Sequence, residues 1–284
     1  MRYFLLWLLM IASPAHAQLW QDIDFGENPS PQTIRSAGAE VTISPRPSRD
    51  GIDSAIIAIR IEGFPTVLEE ASAAPFGWKV GIGRISTSDS HVSVIVQNFS
   101  GGAHCCYSAT AYVPYAGQIR AIPVGYGDGE GLSQWPSDLD GDGTVDFRSY
   151  SNSLLYAFSS YAASFGLPTV HTIVRGNLID VSDEPQFRQG IEDLSQRARA
   201  ACLDQTLGSE RNGGCAAFVV AEAKLGRLTP ALALTRTAAY NGRDAVYPYA
   251  CRTNASPCPP SQEIHFANFN EAIVWFLRQD GSIR

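Results

Sequence analysis

The apolar residues of this chain change period once, and that change requires two kinds of secondary structure in sequence. Between about Ala37 and Val181 they alternate, in segments 41–43, 55–61, 78–85, 91–97, 107–113, 119–124 and 169–174. Alternation puts successive side chains on opposite faces of a strand. In 91–97, Val92, Val94 and Val96 share one face, while His91, Ser93, Ile95 and Gln97 share the other. This is the pattern of a half-buried antiparallel strand. Ala116-Gly117 and Arg175-Gly176-Asn177 suit hairpin turns, so an antiparallel sheet or sandwich is expected. After Pro185 the spacing becomes three and four, on Phe187, Ile191, Leu194, Ala198 and Cys202, which is one stripe of an amphipathic helix. A second helix is predicted over 215–225, closed by Gly226, and a third opens on Thr229-Pro230 as cap and first residue. A loop over 241–262 precedes a last helix on Phe269, Ile273, Phe276 and Leu277. The expected fold is therefore α+β. An antiparallel β-rich module over 18–184 is followed by a small, disulfide-stapled α-helical region over 185–284.

Residues 1–17 read as a signal peptide: Arg2, an apolar run over 3–12, then Ala15-His16-Ala17. A membrane span needs about 20 apolar residues, and no later segment supplies them. The expectation is a periplasmic or secreted protein with no membrane anchor after cleavage. A formal net charge of −7 with no basic block speaks against a nucleic-acid partner, which demands clustered Lys and Arg.

The strongest chemical signal lies in 138–146, DLDGDGTVD. Carboxylates stand at loop positions one, three, five and nine, a glycine stands at six, and the Thr144 carbonyl is available at seven. Calcium takes about six to eight oxygens, and this spacing folds several of them into one turn. Asp138, Asp140, Asp142, Thr144 and Asp146 are the candidate ligands, with calcium as the cofactor. A twelfth-position Glu is missing, since Ser149 stands there, and the flanks do not read as two helices, so this is not an EF-hand. A metal-free acidic turn and a calcium that takes part in binding or catalysis are the competing readings.

DLDGDGTVDF resembles the aspartate-rich loops of FG-GAP- and VCBS-type repeats. The segment NFSGGAHCCY (98–107) resembles uncharacterised exported bacterial proteins that carry such a loop. The resemblance implies a structural calcium held between β-strands by the same five residues. Only one such loop is present, so a single β-sheet module is expected rather than a propeller.

Six cysteines in an exported chain point to disulfides. Cys202 with Cys215, and Cys251 with Cys258, would close short connections and staple the helical region. That set would leave the adjacent Cys105 and Cys106 to each other. Consecutive Cα atoms are about 3.8 Å apart, short of the ordinary disulfide range. Separate partners or free thiols for Cys105 and Cys106 are therefore alternatives. His104 beside Cys105 reads as structural, because neighbours on a strand point apart. The chain has no G-x-S-x-G, H-E-x-x-H, G-x-x-x-x-G-K or dinucleotide fingerprint.

The function expected is a non-catalytic binding or structural role toward a protein or glycan partner. One alternative is an extracytoplasmic hydrolase, acting on a glycan or ester, that uses Asp128, Glu130 or Asp183. The other is a thiol-redox protein using Cys105 and Cys106. Tyr150, Tyr156, Phe158, Tyr161 and Phe165 are either a sugar-stacking surface or sheet packing.

Overall fold

A computed structural model of the chain describes residues 18–25, 30–48, 51–72, 77–100, 106–127, 131–253 and 255–281. The proposed signal peptide, His104, Cys105, Asp128 and Glu130 lie outside these residues. The fold is α+β, with antiparallel sheets followed by a helical, disulfide-bridged region. Its contacts separate into two compact units, one drawn mainly from residues before 124 and one mainly from residues after 135.

In the first unit, β1 (Leu19–Ile23), β2 (Gln32–Ser36), β3 (Ala39–Ser48), β4 (Gly51–Ile61), β5 (Val67–Ser72), β6 (Trp78–Gly83) and β7 (Ser93–Phe99) are followed by β8 (Tyr107–Tyr115) and β9 (Gln118–Gly127). They form a sheet of order β2-β3-β4-β5 and another of order β1-β6-β7-β8-β9. The inward residues of both, among them Val41, Ile43, Ile57, Ile59, Val80, Ile82, Val94 and Val96, bury one shared core. The β8–β9 turn puts Ala116 at φ 50° and Gly117 at φ 81°, the left-handed pair that a two-residue hairpin requires.

β7 corrects the expectation of a half-buried strand. Ser93, Ile95 and Gln97 are as buried as the valines, because β7 is the middle strand and the segment 132–135 covers its second face. Gln97 is satisfied there: its Nε2 donates to the Leu132 carbonyl and its Oε1 accepts the Leu132 N–H. Trp135 is buried against β6, where Gly81 and Gly83 clear space for it. A Cβ on Gly83 would lie 2.7 Å from the Trp135 ring, and one on Gly81 would strike both Trp20 and Trp135.

The second unit holds β10 (Asp146–Ser151), β11 (Leu167–Val174) and β12 (Asn177–Asp180), then α1 (Arg188–Leu203), α2 (Arg211–Lys224), α3 (Leu228–Ala238) and α4 (Phe269–Gln279). The strands pair in sequence order as an antiparallel sheet, and Arg175 and Gly176 form the left-handed β11–β12 turn. Contacts group these strands with the helices, and this unit takes the residues from Pro136 onward together with shorter stretches before them. The cause is packing: Leu154, Phe158 and Leu167 sit in the core that α1, α2 and α4 build.

α2 begins at Arg211, earlier than the sequence suggested, and carries Asn212, Gly213 and Gly214 inside the core. Asn212 is fully buried yet satisfied, donating to the Tyr240 carbonyl and accepting the Tyr240 N–H. α3 begins at Leu228, so Thr229 and Pro230 both fall in its first turn, where proline's missing N–H costs nothing. Disulfides join Cys202 to Cys215, tying the end of α1 to α2, and Cys251 to Cys258.

One polar joint links the first three helices. Arg227 contacts Glu192 of α1 at 2.8 Å and Glu222 of α2 at 2.7 Å, and Ser195 donates to Glu222 at 2.6 Å. The hydrogen bonds from Arg227 outweigh burial, and with Ser195 they hold the Glu222 carboxyl below its ordinary value. A carboxyl whose folded pKa is depressed stabilises the fold above its unfolded pKa, and that contribution is lost as pH falls through the folded value. Glu222→Gln should therefore lower the melting temperature at neutral pH and make its decline toward about pH 3 shallower than in the parent. Parallel acid slopes in a pH series of thermal melts would exclude this role.

Candidate functional site

The acidic loop belongs to the second unit and is closed at its base, where the Asp146 N–H donates to the Ser137 carbonyl at 2.9 Å. Gly141 at φ 83° and Gly143 at φ 91° supply the left-handed steps that curl it. Asp138 accepts the N–H groups of Gly141 and Gly143, at 2.7 and 2.9 Å. Asp140 accepts from Asp142 N–H, Asp142 from Thr144 N–H, and Asp146 from Leu139 N–H. Carboxylate oxygens of Asp138, Asp140 and Asp146 lie within 4.8 Å of one another.

Asp146, only 5% exposed, starts β10, and its carboxyl is pushed up by burial and by the charges of Asp140, Asp142 and Asp138. Burial alone would raise the Asp138 carboxyl, but the N–H groups of Gly143, Gly141 and Asp142 together outweigh it and pull the group below its ordinary value. The donors are all hard oxygens, the kind that a calcium-type ion takes. Asp142 is not in the converging group, and its Oδ1 is engaged at 2.6 Å by the Thr144 N–H. Ser149 faces elsewhere, its hydroxyl 2.7 Å from that of Thr169 on the paired strand.

The other sequence candidates separate. Asp183 is exposed and forms an ion pair with Lys224 at 2.7 Å. Cys106 is disulfide-bonded, and the remaining described cysteines are the two bridges above. Phe158 is core, packed on Phe269 and Phe276, and Phe165 packs against the same core. Tyr150 and Tyr156 are open to solvent, 60% and 58% exposed, and Tyr156 lies 5.7 Å from Tyr161.

Sequence reasoning missed what adjoins the loop. A cavity of about 300 Å³ lies between β10, β11 and α1, and its walls include Leu139, Arg148, Tyr150, Gln186 and Arg197. Gln186 also donates to Asp140 at 3.1 Å, so loop and cavity share a wall. Its residues come from four distant stretches, and no local spacing signals them.

Fold and site define an α+β protein whose helical end is disulfide-bridged, a kind of stabilisation typical of extracytoplasmic compartments. Among the described residues, no helix is long and apolar enough to cross a membrane. Residues 191–281 match the family described as the sll0997 C-terminal domain. The chain is 30% identical over 142 residues to the probable thylakoid lumen protein sll0997 of Synechocystis, a match covering 48% of this chain and 40% of that protein. It is also 30% identical over 96 residues to protein y4bJ of Sinorhizobium fredii, covering 34% of this chain and 15% of that one. The chain thus spans well under half the length of these curated relatives. No solved structure matches it.

Proposed function

We propose that this is an exported calcium-binding protein, periplasmic or secreted, with a non-catalytic binding role. The observation that carries the reading is the convergence of carboxylate oxygens from Asp138, Asp140 and Asp146 on one glycine-curled loop. Three carboxylates held this close repel one another, and a hard divalent cation relieves that repulsion. The resemblance of the loop to FG-GAP- and VCBS-type calcium loops supports the same assignment. Export is supported by the signal-like residues 1–17, by the disulfides, and by the lumenal name of the cyanobacterial relative. Calcium, when bound, supplies charge neutralisation; the chain's own residues order the loop and the cavity wall beside it.

The test is thermal melting of residues 18–284 in EDTA and in excess calcium. At a hundredfold excess over its dissociation constant, calcium should add about 2.7 kcal/mol. Asp140→Ala should abolish that increment while leaving the EDTA melt nearly unchanged, because the side chain is exposed. An identical melt in both conditions would overturn the calcium assignment.

A further inference from the structure

We infer that the cavity between β10, β11 and α1 binds a carboxylate-bearing oligosaccharide, with Arg148 and Arg197 receiving carboxylates and Tyr150 stacking on a sugar ring. The inference deepens the binding role proposed above and rests on it, but not on the cation.

Charge is the first argument. On a chain of net −7, this cavity is lined by two guanidiniums and one carboxylate, Asp193. Asp193 is already engaged, accepting from Gln189 at 2.8 Å. The side chains of Arg148 and Arg197 make no hydrogen bond or ion pair among the described residues. By contrast Arg188, at the start of α1, and Arg227 are both paired with Glu192. A free guanidinium offers a planar fork of N–H donors that matches a carboxylate in two-point geometry.

Shape is the second. Arg197 and Tyr150 also line a neighbouring cavity of about 680 Å³, together with Asn152, Tyr161 and Glu210. Glu210 is spent there on the N–H and hydroxyl of Ser160, at 2.9 and 2.8 Å. Two cavities that share two residues lie side by side, which suits an extended ligand of several rings. Both volumes lie in the usual range for ligand pockets, roughly 300–1,000 Å³.

The lining chemistry favours sugar over peptide. Tyr150 is 60% exposed, and Gly166, which has no side chain, leaves space beside it. An open aromatic ring suits the flat C–H face of a pyranose. Ser149, Thr169, Ser182 and Gln186 line the same cavity and give it a polar wall, although each also bonds within the chain. The apolar floor of Val170, Phe187 and Ile191 is almost fully buried, so the hexaglutamate comparison below decides between sugar and peptide.

The experiment is calorimetric titration of residues 18–284 with a hexasaccharide of alternating glucuronate and N-acetylglucosamine, in EDTA and again in calcium. Chitohexaose removes the carboxylates at equal length, and hexaglutamate presents them on a peptide. Saturable binding of the acidic hexasaccharide alone is expected, weakened about tenfold or more by Arg197→Ala and by Tyr150→Ala. Neither variant removes a structural bond, and an unchanged melting temperature verifies folding. No binding, equal affinity for chitohexaose, equal or tighter binding of hexaglutamate, or indifference to Arg197→Ala would each overturn the proposal. Binding equal in EDTA and calcium, with no calcium-dependent melting shift, would support the sugar site while overturning the calcium assignment.

Discussion

Gly213→Ala should destabilise the protein by roughly 3 kcal/mol, although alanine is the better helix former by about 1 kcal/mol. A Cβ at Gly213 would fall inside the van der Waals shells of the Ala163 carbonyl oxygen and Ser159 Oγ. One of these is backbone and has no rotamer to escape into. Its neighbour Gly214 is equally constrained, with Ala201 Cβ at 2.7 Å and Cys202 N at 2.8 Å from the added atom, so α2 lies directly on α1. The control is the same change at Gly190 in α1, where an added Cβ meets only Pro168, at 3.9 Å. There the helix propensity is unopposed, and Gly190→Ala should stabilise by about 0.5–1 kcal/mol. Urea denaturation of both variants decides the matter, and equal effects at the two positions would refute the packing argument.

Trp135→Ala should cost about 3–5 kcal/mol in the first unit, the range for deleting a large aromatic from a core. The indole is buried on the glycines of β6, and no smaller side chain reaches across that space. Gly83→Val attacks the same contact from the other side, since its Cβ would enter the indole ring at 2.7 Å. The two changes should therefore be strongly non-additive: once Trp135 is removed, Gly83→Val loses most of its penalty. A denaturation-based double-mutant cycle tests this, and simple additivity would show that the contact is not the source of either loss.

These two contacts also mark where sequence reasoning stopped. The stripe of Ile191, Leu194, Ala198 and Cys202 was legible because a helix face repeats locally, and it is buried as read. The carboxylates of 138–146 were legible for the same reason, since their chemistry is concentrated in one turn. Asn212-Gly213-Gly214, by contrast, reads as a helix breaker, and only the distant partners Tyr240, Ala163 and Ala198 make it a helix interior. Ser93 and Gln97 look like a solvent face until Leu132 arrives from 35 residues away to satisfy Gln97. Arg148 and Arg197 carry no motif at all; a shared cavity is their only connection.

The burial of α2 has a consequence for hydrogen exchange. Nearly every side chain from Asn212 to Glu222 is buried, and neighbours surround the helix on all sides. Such a segment has no solvent face from which to fray. Its amides should exchange only through complete opening of the unit, whereas α3, with just Ala231 and Thr235 buried, can lose protons to water by local opening. In a deuterium-uptake time course α2 would be the last segment labelled, and its rate would report the global stability of the helical unit directly.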